Sequence, residues 1–223
     1  MCVVFTNKGD LYSNIKKTCC VERSIPSQVM CSRTITPKGG NVRSLMTVGT
    51  KVAIQMATKI GSAPYIIKMP LNGLMTIGFD VATDSRDKKI SYGAMVATMD
   101  IKTSAEYFSA VSKQTSGEEL SHSFMQNVMK ALKAYQQVHN ALPQRICIYR
   151  DGVGDSQVPF VLEHELKPLQ ENLKRAYESA NSKTGPKLIF MIVSKRINSR
   201  LFLDKHNPPP GTVVDDVITL PER

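Results

Sequence analysis

Hydrophobic and polar positions change period several times along the chain, and each change predicts an element. Cys2–Phe5 is a short apolar run that breaks at Asn7-Lys8-Gly9-Asp10, a strand followed by a turn. Residues 11–19 predict a short helix with Asp10 as its cap, and residues 27–31 a second strand. Val42, Leu45, Met46, Val52, Met56 and Ile60 recur at helical spacing. They predict a helix from a cap at Asn41 to about 60, ended by Gly61. The loop Lys38-Gly39-Gly40-Asn41 precedes it, and Pro64 and Pro70 punctuate the connection that follows.

Beyond this connection the period shortens. Residues 74–81, 91–99 and 107–111 predict strands, with a charged hairpin loop over 82–90. Ser116 opens a long helix to about 140, and residues 145–150 form the next strand. A second long helix over 159–180, a strand over 187–194 and, after Asn207-Pro208-Pro209-Pro210-Gly211, a strand over 213–220 complete the reading. Three strands, helix, strand, helix, strand is the order of an RNase H-like mixed sheet, although order alone leaves other α/β folds open.

Charge sharpens this division. The chain has 29 Lys and Arg against 19 Asp and Glu, a net charge of +10. Residues 1–70 hold ten of the basic residues and only Asp10 and Glu22 as acids, whereas residues 71–223 are nearly balanced. A boundary therefore falls near Leu71. The basic first part suits a polyanion such as nucleic acid, or serves as a solvated face for solubility.

The longest apolar run is the six residues 188–193, too short for a membrane span, and the N-terminus shows no secretory signal. Five cysteines, with Cys19 and Cys20 adjacent, do not make a disulfide framework and favour a reducing compartment. Cys19, Cys20 and Cys31 lack zinc-site spacing and read as buried thiols. His122 and His139 read as surface positions on the helix. No GxxxxGK[ST], GxGxxG or GxSxG occurs, which weighs against nucleotidase, dehydrogenase and serine-hydrolase classes.

Two carboxylates stand where strands end: Asp80 in TIGFDV and Asp151 after ICIYR, before Gly152. Ligands of α/β sheets gather outside carboxyl strand ends, and hard Mg²⁺ or Mn²⁺ ions take oxygen donors there. Two such ions would clamp both oxygens of a phosphodiester displacement; alternatively each Asp caps a turn. Mutual repulsion at a shared site predicts a raised pKa for at least one of the pair. Glu118-Glu119 is a third acidic position, although Ser116 and Glu119 also fit a capping box. In the first part, Tyr12 and Lys16 share a helix face, and Lys51, Gln55 and Lys59 form a second i, i+4 row. These rows are solvent faces or two walls of an anion pocket.

The stretches TIGFDVATDSRDKKISYGAMVATMD, LPQRICIYRDGVGDSQ, MIVSKRINSR and NPPPGTVVDDVITLPER together resemble the Piwi clade of Argonaute proteins. The resemblance runs through nearly the whole chain. It implies a Rossmann-like MID remnant over residues 1–70 and an RNase H-like PIWI domain over 71–223, with both ends cut.

By the same resemblance, Tyr12, Lys16, Gln28, Gln55 and Lys59 grip the 5′ phosphate of a small guide RNA, the Tyr12 ring stacking on its first base. Asp80, Glu119 and Asp151 match the slicer's acidic residues, with Asp80 and Asp151 holding Mg²⁺ or Mn²⁺. Lys195, Arg196 and Arg200 match a segment that lies along the guide backbone. A fourth ligand, a histidine, falls beyond Arg223 in the family. The implied function is piRNA-guided silencing of complementary target transcripts in the cytoplasm. Two alternatives remain beside it: a non-cleaving guide-RNA-binding module or inactive fragment, and an unrelated RNase H-like enzyme such as an integrase. A MID-like pocket disfavours the integrase reading.

Overall fold

The structure is a computed structural model. It describes residues 1–6, 10–35, 42–67, 69–85, 87–99, 106–115, 117–182, 184–195 and 197–216, with the side chains of residues 10, 42–44 and 117–120 outside the description. The described residues cluster into two compact units. The first comprises Met1–Met75, Val96–Ser109 and Ala131–Arg145; the second comprises Thr76–Met95, Ala110–Lys130 and Ile146–Arg223.

The N-terminal region of the first unit holds a parallel two-stranded sheet, β1 (Cys2–Phe5) paired with β2 (Ser27–Met30) in the register Val3 to Gln28. Between the strands lies α1 (Asp10–Lys16), which runs directly into a π-helical turn, Lys17–Glu22. Asp10 is thus the first residue of the helix, not its cap, and the helical stretch passes the expected stop at Cys19. A single turn, α2 (Ser32–Ile35), and the long α3 (Val42–Lys59) follow. Gly61 ends this stretch at φ +91, a conformation open to glycine. The 38–41 loop lies outside the described residues.

A five-stranded mixed sheet has the order β5-β4-β3-β6-β7. Its strands are β3 (Leu74–Thr83), β4 (Ser91–Thr98), β5 (Tyr107–Gln114), β6 (Arg145–Asp151) and β7 (Lys187–Val193). Consecutive β3, β4 and β5 are neighbours, and β6 returns to the other side of β3 after α4 (Gly117–His139). The central strands alternate as a sheet with one covered face requires. Met75, Ile77 and Phe79 of β3, and Ile146, Ile148 and Arg150 of β6, are buried. Phe124 of α4 lies on Phe79, with ring centroids 4.4 Å apart.

The predicted second long helix is a relay. A 3₁₀ turn at Asp155–Gln157 leads to α5 (Val158–Val161), a π-helical turn Leu162–Leu166, and α6 (Lys167–Ser179), whose Leu169, Leu173 and Tyr177 are buried.

Several expectations are corrected. Val213–Val214 and the following two residues form no strand; residues 217–223 lie outside the description. Cys20 is exposed and Cys31 half-buried, and only Cys19 of these three is buried; all five cysteines are free thiols. His139 is not a plain surface residue: its ring stacks 4.3 Å from Tyr135 and bonds to the Met99 carbonyl at 2.5 Å. Among the described residues no helix is long and apolar enough to cross a membrane.

Candidate functional sites: a lysine pocket and an acidic strand end

The first site is built where β2 meets α1 and α3. Lys16, in the last turn of α1, donates from Nζ to the Ser27 carbonyl at 3.0 Å and to Ser27 Oγ at 2.9 Å. Lys59, the last residue of α3, donates to the same carbonyl at 3.0 Å and to Gln28 Oε1 at 2.7 Å. Gln28 Nε2 then donates to Gln55 Oε1, one turn back on α3, at 3.2 Å. Four of the five residues with the expected spacing therefore form one hydrogen-bonded cluster.

Neither ammonium has a carboxylate partner among the described residues. Two cations sharing one carbonyl oxygen repel, and removal from water adds to the cost. Desolvation and, next, the charge of Lys16 hold Lys59 below the usual lysine pKa, with the nearby Cys20 offsetting part of the shift. The fifth residue, Tyr12, is half exposed, and its ring centroid lies 5.8 Å from Lys16 Nζ. That is cation–π range, and it places a free aromatic face at the edge of the cluster. Lys51 is exposed and stands outside the hydrogen-bond cluster. Ser27 is the residue that spacing missed. It is buried and acts largely through its main-chain carbonyl, which leaves no side-chain signature.

The second site lies within the second unit. Asp80 and Asp151 are on the neighbouring strands β3 and β6. Asp80 Oδ1 accepts the Val81 amide at 2.8 Å, and Asp151 Oδ1 accepts the Gly152 amide at 2.9 Å. Gly152 has φ +75, and a Cβ there would lie 3.6 Å from Asp80 Oδ1, so the chain turns beside the first aspartate immediately after the second. Lys195 pairs its ammonium with Asp151 Oδ2. The pair faces a cleft of about 860 Å³ between the loop after β6 and the segment after β7.

The expected rise in carboxylate pKa is reversed at Asp151. The hydrogen bond from Lys195 is the largest cause, and it holds this carboxyl below its usual value. Lys195 is correspondingly raised, first by that bond and, more weakly, by the charges of Asp151 and Asp80. Arg200 is exposed; Arg196 and the side chains of Glu118 and Glu119 lie outside the described residues. Among the described residues, no three His, Cys, Asp or Glu side chains form a group able to hold a metal. The two aspartates supply carboxylate oxygens, the donors a hard divalent cation takes; each Oδ1 accepts a backbone amide, and Asp151 Oδ2 is paired with Lys195.

Sequence reasoning also missed the buried pair beneath this site. Arg150 and Glu165 are joined by two hydrogen bonds, Nε to Oε2 at 2.9 Å and Nη2 to Oε1 at 3.1 Å. The period-two pattern of β6 does place Arg150 on the inward face, but nothing in it points to Glu165.

This α/β architecture, with its five-stranded mixed sheet, matches the Argonaute MID-PIWI fold. Residues 1–223 match the family described as the Piwi domain, and the chain belongs to that family as a Piwi-clade Argonaute chain. It is 49% identical over its full length to protein aubergine of Drosophila melanogaster, covering 26% of that protein. It is 45% identical over its full length to the Piwi-like protein Siwi of Bombyx mori, covering 24%. The crystal structure of Drosophila Piwi superposes with a TM-score of 0.82 at 42% identity, covering the whole of this chain and 29% of that one. The MID-PIWI domains of N. crassa QDE-2 share the fold at 20% identity and a TM-score of 0.64 over 85% of this chain and 54% of that one. The chain spans about a quarter of the length of these curated relatives.

Proposed function

We propose that this chain anchors the 5′ end of a small guide RNA through residues 1–70 and contributes the acidic slicer residues through residues 71–223. The observation that carries the reading is the convergence of Lys16 and Lys59 on one carbonyl, with Gln28 and Gln55 completing the cluster. Such a cluster offers an anion several donors at once. A terminal phosphate carries close to two negative charges at neutral pH and would replace the shared carbonyl as acceptor. Tyr12 offers a stacking face for the first base, which is how single strands are usually held. The resemblance to the Piwi clade implies a piRNA as the guide and a complementary transcript as the target. One relative of the fold, the Argonaute of Kluyveromyces polysporus, was solved with a guide RNA.

Asp151, which lines the cleft, and Asp80 on the neighbouring strand would hold Mg²⁺ or Mn²⁺, with Glu119 as the third acidic residue. The ion would supply charge stabilisation and an activated water for phosphodiester hydrolysis. The chain's own residues fix two carboxylates by backbone amides, while Lys195 neutralises one of them. Lys195, Arg196 and Arg200 supply positive charge for guide phosphates. A non-cleaving guide-binding module is the second reading, favoured by the Lys195–Asp151 ion pair, which occupies a carboxylate oxygen that a metal would need.

The test is binding of the 223-residue chain to matched RNAs with a 5′ phosphate or a 5′ hydroxyl, followed by fluorescence anisotropy. Preference for the phosphate, removed by Lys16→Ala with Lys59→Ala, supports the anchor; equal binding of both RNAs overturns it.

A further inference from the structure

We propose that Arg150 is a positioning residue that holds the end of β6, which carries Asp151, against the Phe79–Asp80 stretch of β3, and that buried Glu165 is its clamp. The functional meaning of this rests on the metal reading above, but the geometry does not.

The guanidinium touches three elements. Nε and Nη2 grip Glu165, on the π-helical turn Leu162–Leu166, at 2.9 and 3.1 Å. Nη1 donates to the Asp151 carbonyl at 2.5 Å. The plane's centre, Cζ, lies 4.8 Å from the ring centroid of Phe79, the residue before Asp80. One planar group thus ties the end of β6 to the residue preceding the β3 aspartate, and its own orientation is fixed from a third element.

Stability alone gives little reason for this arrangement. Arg150 is 6% exposed and Glu165 2%, so both ions have left water. Desolvation of such a pair tends to cancel its attraction, and apolar residues of similar volume often serve stability as well. What an apolar pair cannot do is donate to the Asp151 carbonyl. Arginine suits the task better than lysine because its rigid fork makes both bonds to Glu165 and leaves Nη1 directed at the strand end. The π-helical turn has a matching role: inserted turns of this kind re-aim side chains, often at functional sites, and here the turn carries the clamping carboxylate. Outer residues that orient metal-holding carboxylates typically alter metal affinity by tenfold or more when changed.

The test uses the 223-residue chain with Arg150→Met and Glu165→Leu combined, which removes both charges together. Two readouts are taken: residue-resolved amide exchange without metal, and Mn²⁺ affinity by electron paramagnetic resonance. The Gly152 amide, which donates to Asp151 Oδ1, should exchange about tenfold faster, while Ile77 and Ile148 in the strands keep their protection. Mn²⁺ affinity should fall about tenfold. Glu165→Gln keeps the volume and one acceptor, so it should show smaller changes in the same directions; it is read alone if the paired variant does not fold. Unchanged Gly152 exchange in a folded variant overturns the proposal. If the unaltered chain binds no Mn²⁺ sensitive to Asp151→Asn, the metal reading fails, and the exchange measurement still decides the role of Arg150.

Discussion

The ammonium of Lys195 pairs with the carboxylate of Asp151, joining the segment after β7 to the end of β6. The contact gives one lysine two competing attractions, an aspartate in its own unit and the phosphates of a bound strand. Lys195→Met is expected to separate them. Removing a cation beside the aspartates should tighten Mn²⁺ binding several-fold, while RNA binding weakens and its dependence on salt concentration becomes shallower by about one counterion. Mn²⁺ titration and an RNA salt series check the two directions, and a fall in both affinities would contradict the competition.

The lowered pKa of Lys59 sets a pH dependence for phosphate binding. In the free protein, desolvation and the charge of Lys16 favour loss of the Lys59 proton. A bound phosphate favours keeping it, so binding takes up a proton wherever the free amine is partly neutral. Affinity for 5′-phosphorylated RNA should therefore decline as pH rises through the free-state pKa, earlier than for an ordinary lysine at 10.5. Lys59→Arg, which keeps its charge throughout, should flatten the decline. Anisotropy at constant ionic strength between about pH 7 and 10 checks the profile.

How far the sequence alone reached depends on the kind of signal. Tyr12, Lys16, Gln55 and Lys59 were readable because i, i+4 spacing fixes a helix face before any tertiary structure is known. The partner that draws both lysines together is a main-chain carbonyl, which every residue possesses, so Ser27 left no trace. Asp80 and Asp151 were readable from their places late in apolar strands, but the Lys195–Asp151 pair is separated by the helical relay and β7 and emerges only from packing. The run at Val213 shows the opposite failure. Its β-branched residues suggested a strand, yet strand propensity expresses itself only where a partner ladder exists.

Gly152 carries a conformational requirement that can be measured without any ligand. Its φ of +75 lies where a Cβ is strained, and the added methyl would sit 3.6 Å from Asp80 Oδ1, in ordinary contact. The cost is therefore mainly backbone strain, and Gly152→Ala should destabilise by about 1–2 kcal/mol. In a domain of this size each 1 kcal/mol lowers Tm by about 2–4 °C. Thermal unfolding checks the value, and an unchanged Tm would mean that the turn relaxes without resistance.

Tyr12 separates base stacking from phosphate recognition. Tyr12 is 52% exposed, so replacing it removes little core packing and Tyr12→Ala should leave Tm within about 2 °C of the parent. Stacking of a base on an aromatic side chain contributes about 1–3 kcal/mol, whatever lies at the 5′ position. The variant should therefore lose affinity for 5′-phosphate and 5′-hydroxyl RNA by similar factors, preserving their ratio. Lys16→Ala should do the reverse, reducing the ratio while affecting the 5′-hydroxyl RNA less. The 5.8 Å cation–π contact complicates this only modestly, because losing the ring frees Lys16 without removing its charge. Tyr12→Trp, which enlarges the stacking face, should restore binding of both RNAs. If Tyr12→Ala instead lowered affinity for the phosphorylated RNA alone, the ring would act by holding Lys16 in place and not as a platform for the first base.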